Sequence, residues 1–137
     1  MNNTQFSTSI NIMFTVALVF FANTSFAKGL KSDELKALIN DKTVESESAS
    51  GFAAKIYYSP DGSFKKIKRD EFTKGVWYIN SDGKLCKKVD GESTALCRLI
   101  VKKGDVWKVY KVPGNPAKSW KHKSTWLRIL DGNPDKL

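Results

Sequence analysis

Residues 75–110 read GVWYINSDGKLCKKVDGESTALCRLIVKKGDVWKVY, and this stretch decides the fold. Runs rich in β-branched, aromatic and leucine residues cover 75–79, 84–89, 94–101 and 106–112, and Asp82-Gly83, Asp90-Gly91 and Gly104-Asp105 separate them. Glycine accepts positive φ without steric cost, so an Asp/Gly pair between two such runs signals a hairpin. Taking 80–83, 90–93 and 102–105 as the loops places Trp77, Cys86, Cys97 and Tyr110 in one row across four neighbouring strands. The two cysteines then face each other on adjacent strands, the geometry a disulfide requires.

The pattern extends in both directions. Upstream lie the runs 54–58 and 64–68, joined by Pro60-Asp61-Gly62; downstream, Pro113-Gly114-Asn115-Pro116 interrupts the meander before a last run at 125–130. Residues 43–51 (TVESESASG) are polar and small, and the SESASG part reads as a loop. Ser32 followed by Asp33 and Glu34 reads as a helix start, with a capping hydroxyl and two carboxylates where the helix dipole favours them. Leu35, Leu38 and Ile39 then form one apolar stripe on a helix of about three turns.

At the N-terminus, residues 12–22 (IMFTVALVFFA) are apolar apart from one threonine, and Ser25-Phe26-Ala27 follows. The run is shorter than the ~20 apolar residues needed to span a bilayer, and small residues at the two inspected positions make it a signal-peptide core. The expected organisation is therefore a signal peptide at 1–27 and a single β-barrel-like domain at 28–137. Export delivers Cys86 and Cys97 to an oxidising compartment, which favours their disulfide. Such a short closed loop stabilises by roughly 3 kcal/mol on the chain-entropy model. A redox-active pair is disfavoured, because there is no C-x-x-C and the spacing belongs to a hairpin.

The same register puts Trp77, Ile79, Leu99, Val101 and Tyr110 on one face of the sheet and Val76, Tyr78, Leu85, Leu96, Ile100 and Trp107 on the other. Both faces need cover, and one short helix protects only part of one. The fold class expected is mainly β: a small antiparallel meander, curled into a partly closed barrel of about seven strands, with one short N-terminal helix.

The chemistry in the chain is sparse. His122 is its one histidine and the cysteines are paired, so a Ser-His-Asp or Cys-His nucleophile system lacks its parts. No H-E-x-x-H, glycine-rich phosphate loop or dinucleotide fingerprint is present, and neither a metal nor a cofactor is expected. Two stretches suggest binding instead. In FKKIKR, Lys66 and Lys68 share a strand face with Phe64; in KSWKHKSTW, Trp120 and Trp126 alternate with Lys121 and Lys123. Aromatics among cations suit a ligand that offers both an apolar face and negative charge. With Trp77 and Tyr110 from the cysteine row, these six residues make the candidate binding set. Trp126 also reads as a core residue of the last strand.

Some of these motifs resemble a known family. Gly75-Val76-Trp77, then Asp82-Gly83-Lys84-Leu85-Cys86, then Cys97, preceded by Tyr57-Tyr58-Ser59-Pro60-Asp61-Gly62, is similar to a family of small secreted proteobacterial proteins classed as a domain of unknown function, number 995. The resemblance implies an exported bacterial protein and supplies no activity. A looser similarity, through the G-x-W, is to lipocalin-like barrels.

Twenty-three basic against 14 acidic residues give a formal charge of +9, all of it carried after residue 27. The function expected is a periplasmic or secreted, non-enzymatic binding protein for an anionic or amphiphilic envelope ligand: anionic glycan, lipid or lipopolysaccharide. Nucleic acid is a poor fit to an exported chain, and no transmembrane segment is expected after the leader. The alternative is an envelope assembly or host-interaction protein acting through an exposed apolar surface. A hydrolase would need two carboxylates converging in one cleft.

Overall fold

The structure, a computed structural model, describes residues 29–137, so the expected signal peptide lies outside the described residues. One helix, α1 (Ser32–Ile39), precedes eight strands: β1 (Lys42–Ser48), β2 (Ala53–Tyr58), β3 (Ser63–Lys68), β4 (Glu71–Ile79), β5 (Leu85–Val89), β6 (Leu96–Lys103), β7 (Val106–Lys111) and β8 (Lys121–Asp131). Each strand pairs antiparallel with the next, and β8 returns to pair with β1, closing the barrel. The fold is thus the expected mainly β meander with one short helix, now with eight strands and full closure.

The added strand is β1, most of whose second half read as a loop. It pairs with β2 from Lys42↔Tyr58 to Glu47↔Ala53 and with β8 from Lys42↔Asp131 to Ser48↔Ser124, with a bulge between Glu45 and Ser46. Its inward residues run from Val44, fully buried, to Ser46, 6% exposed. An inward face that turns from apolar to polar along one strand gives no clean two-residue alternation, and the bulge breaks the period again.

Helix α1 closes one end of the barrel. It is two turns long rather than three, and Leu35 and Ile39 are both fully buried against the core. Its cap is not the Ser32 hydroxyl: the helix begins one residue early, and the Lys31 backbone N–H donates to the Glu34 carboxylate at 3.2 Å. The core beneath contains Val44, Ile56, Tyr58, Phe64, Trp77, Leu85, Ile100, Val109 and Trp126. Trp77 donates its indole N–H to the Ser59 carbonyl at 3.0 Å, and Tyr58 meets its ring edge to face at 5.7 Å. Gly75 explains the first letter of the G-x-W motif: a Cβ there would lie 2.0 Å from the Lys88 carbonyl oxygen on β5. Only glycine lets β4 and β5 approach this closely.

Two hairpins depart from the expected register. Ile79 pairs with Leu85, so the β4–β5 loop has five residues, Asn80 to Lys84, and Cys86 lies opposite Tyr78 rather than Trp77. A one-residue slip exchanges the faces of a strand. Trp77 and Ile79 therefore point into the barrel, while Val76 and Tyr78, 48% and 47% exposed, point out. The β6–β7 turn is tighter than expected: Lys103 pairs with Val106, and Tyr110 sits opposite Leu99 rather than in the cysteine row. Cys86 and Cys97 do pair directly across β5 and β6, at disulfide-bonding distance.

Candidate functional site

The loops between β2 and β3, β4 and β5, and β6 and β7 lie at the end that α1 closes; those between β1 and β2, β3 and β4, β5 and β6, and β7 and β8 lie at the other. At this second end the lumen changes character. Lys66, Lys68, Lys87 and Lys123, from β3, β5 and β8, line one cavity of about 150 Å³ with Ser46, Ser48 and Ser124. Ala54 and Ile56 form its apolar floor, and Phe52 of the β1–β2 loop stands at its rim. Phe52 is itself held under cations: the Arg69 guanidinium lies 3.1 Å and the Lys68 ammonium 5.6 Å from its ring centroid.

Alternation along the strands puts these lysines inside. On β3, Phe64 faces the core, so Lys66 and Lys68 follow it inward, as the sequence implies. On β5, Leu85 faces the core and Lys87 is the next inward residue. Its Nζ stands 5.7 Å from the Phe64 ring centroid and 5.9 Å from that of Tyr58, so the ammonium rests on the aromatic part of the lumen.

No carboxylate neutralises this set. Among the described residues the ion pairs are Lys42 with Asp131, Lys55 with Glu45 and Asp135, and Arg128 with Glu45; none involves a lysine of the cavity. Lost solvation pushes the Lys87 amine down to about 7, and the positive charges of Lys66 and Arg98 add to the effect. Burial also lowers the Lys66 amine, with Lys68 adding and Glu71 opposing; Arg98 is lowered by burial alone. Lys87 nonetheless remains partly accessible to solvent, so a ligand can reach it.

Lys87 also lines a second cavity, of about 230 Å³, with Val89, Glu92, Thr94 and Leu96. The ladder between β5 and β6 is short, Leu85↔Arg98, Cys86↔Cys97 and Lys87↔Leu96, and the second cavity lies where the strands part beyond Lys87. The disulfide holds the middle pair of this seam.

The candidate residues read from the sequence divide three ways. Lys66, Lys68 and Lys123 come together on the cavity. Trp77 and Trp126 are 7% and 2% exposed and belong to the core. Tyr110 packs against Trp120 and His122, each at 5.8 Å, on the outer wall, since its neighbour Val109 points inward. Lys121 pairs with Lys111 at the end of β8 and is exposed. Sequence reasoning missed Lys87 and the three serines; a five-residue loop at 80–84 would have placed Lys87 on the face of Trp77.

A larger groove of about 430 Å³ on the outer wall, lined by Glu45, Lys55, Ile67, Arg69, Asp70 and Leu127 among others, carries both signs of charge, and Glu45 and Lys55 already pair there. Among the described residues no group of three or more His, Cys, Asp or Glu side chains is placed to hold a metal, and no helix is long and apolar enough to cross a membrane. Compared with protein-family models and with curated proteins, the sequence matches none.

Proposed function

We propose that this is an exported, non-enzymatic binding protein that takes the negatively charged group of an anionic or amphiphilic envelope ligand into the open end of its barrel. One observation carries the reading: four lysines line a single cavity, and among the described residues none has a carboxylate within ion-pairing distance. Holding like charges together in a partly desolvated lumen opposes folding. An anion offsets that cost, and the serine hydroxyls of β1 and β8 supply neutral donors beside the ammonium groups. The apolar floor of Ala54 and Ile56, with Phe52 at the rim, suits a ligand with an apolar part next to its charge.

The test is a titration of the protein with inorganic phosphate, and then with a short-chain lipid phosphate, followed by backbone amide NMR. The shifts should concentrate on Ser46, Lys66, Lys87 and Ser124. Affinity should fall as pH rises through 7, because Lys87 is cationic below that point, and binding above it should take up a proton. Shifts scattered over the outer lysines and abolished by modest salt would sink the reading.

The alternative reading, a protein-interaction surface, is favoured by a different feature: Phe72, Val76 and Tyr78 point outward along β4 at 56%, 48% and 47% exposure. If phosphate leaves the lumen resonances unmoved while Tyr78→Lys abolishes capture of a partner, this second reading takes precedence.

A further inference from the structure

The two inner cavities meet at one side chain. Lys87 is the residue shared by the cationic cavity of about 150 Å³ and the β5–β6 cavity of about 230 Å³. Three other lysines stand on the first cavity, while Val89, Thr94 and Leu96 line the second. The rings of Phe64 and Tyr58 lie on a further side of Lys87, and among the described residues no carboxylate lies within ion-pairing distance of it. From this geometry we propose that Lys87 is a covalent attachment point, forming a reversible imine with an anionic carbonyl compound whose charged group sits among Lys66, Lys68 and Lys123. The inference rests on the anion-binding reading and names the class of ligand: a small aldehyde or 2-oxo compound bearing a phosphate or carboxylate.

The chemistry follows from the surroundings. A lysine that is desolvated beside other cations keeps its lone pair at neutral pH and becomes a nucleophile. The titratable groups around Lys87 act in that direction: Lys66 on β3 and Arg98 on β6 oppose its protonation, and the Tyr58 phenol on β2 stays neutral because burial pushes it up. Glu92, in the loop after β5, lines the second cavity and is exposed. An ordinary lysine is neutral to roughly 0.04% at pH 7, whereas Lys87, pushed down to about 7, holds a far larger neutral share there. In the reaction the amine nitrogen bonds to the carbonyl carbon and gives a carbinolamine. The carbonyl oxygen then departs as water with the two amine hydrogens, leaving a C=N bond. Nothing is oxidised or reduced, and added water reverses the step.

The experiment uses pyridoxal 5′-phosphate as the probe, an aldehyde with a phosphate, added in limiting amount to the purified protein at pH 7.5. Borohydride reduction and peptide mapping follow. The expected result is label concentrated on Lys87 by roughly tenfold or more over outer lysines such as Lys55 and Lys121, consistent with its larger neutral fraction. Inorganic phosphate should suppress it, and pyridoxal without the phosphate should label poorly. Lys66→Met should lower the yield at Lys87, and Lys87→Met should abolish the specific label while keeping the barrel's circular dichroism. Label spread evenly over the lysines overturns the inference. If phosphate still shifts the lumen resonances in that case, the anion-binding reading survives; if it does not, both fall.

Discussion

The two ends of this barrel obey different rules. At the α1 end the Trp77 indole meets the Ser59 carbonyl, Thr43 Oγ1 donates to the Gly132 carbonyl, Lys42 pairs with Asp131, and Leu35 and Ile39 are fully buried. At the open end three strands bring lysines to one cavity without a counter-charge. A chain selected for stability alone has no use for the second arrangement. This concentrated conflict between local choices and the fold is what supports the proposed anion site.

The largest expected effect tests whether stability is concentrated at the closed end. Leu35→Ala removes a fully buried side chain from beneath the helix and should destabilise by about 3 kcal/mol. Ser46→Ala at the other end should cost less than about 1 kcal/mol, since the hydroxyl makes only a long 3.5 Å contact to the Ala54 carbonyl. Paired urea denaturation curves measure both. Equal losses at the two ends would mean that the open end is structural and would remove the contrast.

How far this contrast was legible in the sequence depended on which forces set the local pattern. The hairpins, the opposed cysteines and the shared face of Phe64, Lys66 and Lys68 follow from glycine turns and strand alternation, both local properties. The faces of β4 do not. Asn80 Oδ1 accepts from the Asp82 and Lys84 backbone N–H groups, and the Asn80 N–H donates to the Lys84 carbonyl at 3.0 Å, so this side chain organises a five-residue loop where Asp-Gly suggests four. That single residue sets the register of β4 against β5 and hid Lys87 as the cross-strand partner of Trp77. Strand β1 was obscured for another reason: Ser46 and Ser48 line the cavity, and a strand facing a polar lumen lacks the apolar period by which strands are found.

Lys87 sharpens the comparison through its pH dependence. Between about pH 7 and 10.5 the unfolded chain holds a proton on Lys87 that the folded chain has released, so the folded state gains stability as pH rises across that window. Below pH 7 both states are protonated and the full cost of the buried charge is present. Lys87→Met should therefore be more stable than the parent at pH 6, by about 1–3 kcal/mol once the side chain's partial exposure is discounted. The difference should shrink steadily toward pH 10. A stability gap that does not change with pH would show that Lys87 is solvated in the fold and that the two ends differ less than their charges suggest.

The smallest effect concerns the boundary between the ends. Tyr58 lies on β2 opposite Lys42, packs against Trp77 and Trp126, and carries the Lys87 ammonium over its ring. Its hydroxyl is buried and has no hydrogen-bond partner among the described residues. A donor left unpaired costs its desolvation, so Tyr58→Phe should leave stability unchanged or raise it by up to about 1 kcal/mol. If that hydroxyl serves a ligand in the lumen, the same variant should weaken phosphate or lipid-phosphate binding while the fold gains stability, an opposition that simple loss of packing cannot produce. A clear loss of stability would instead assign the hydroxyl to the closed end's network, and the boundary between the two regimes would move from Tyr58 to Lys87.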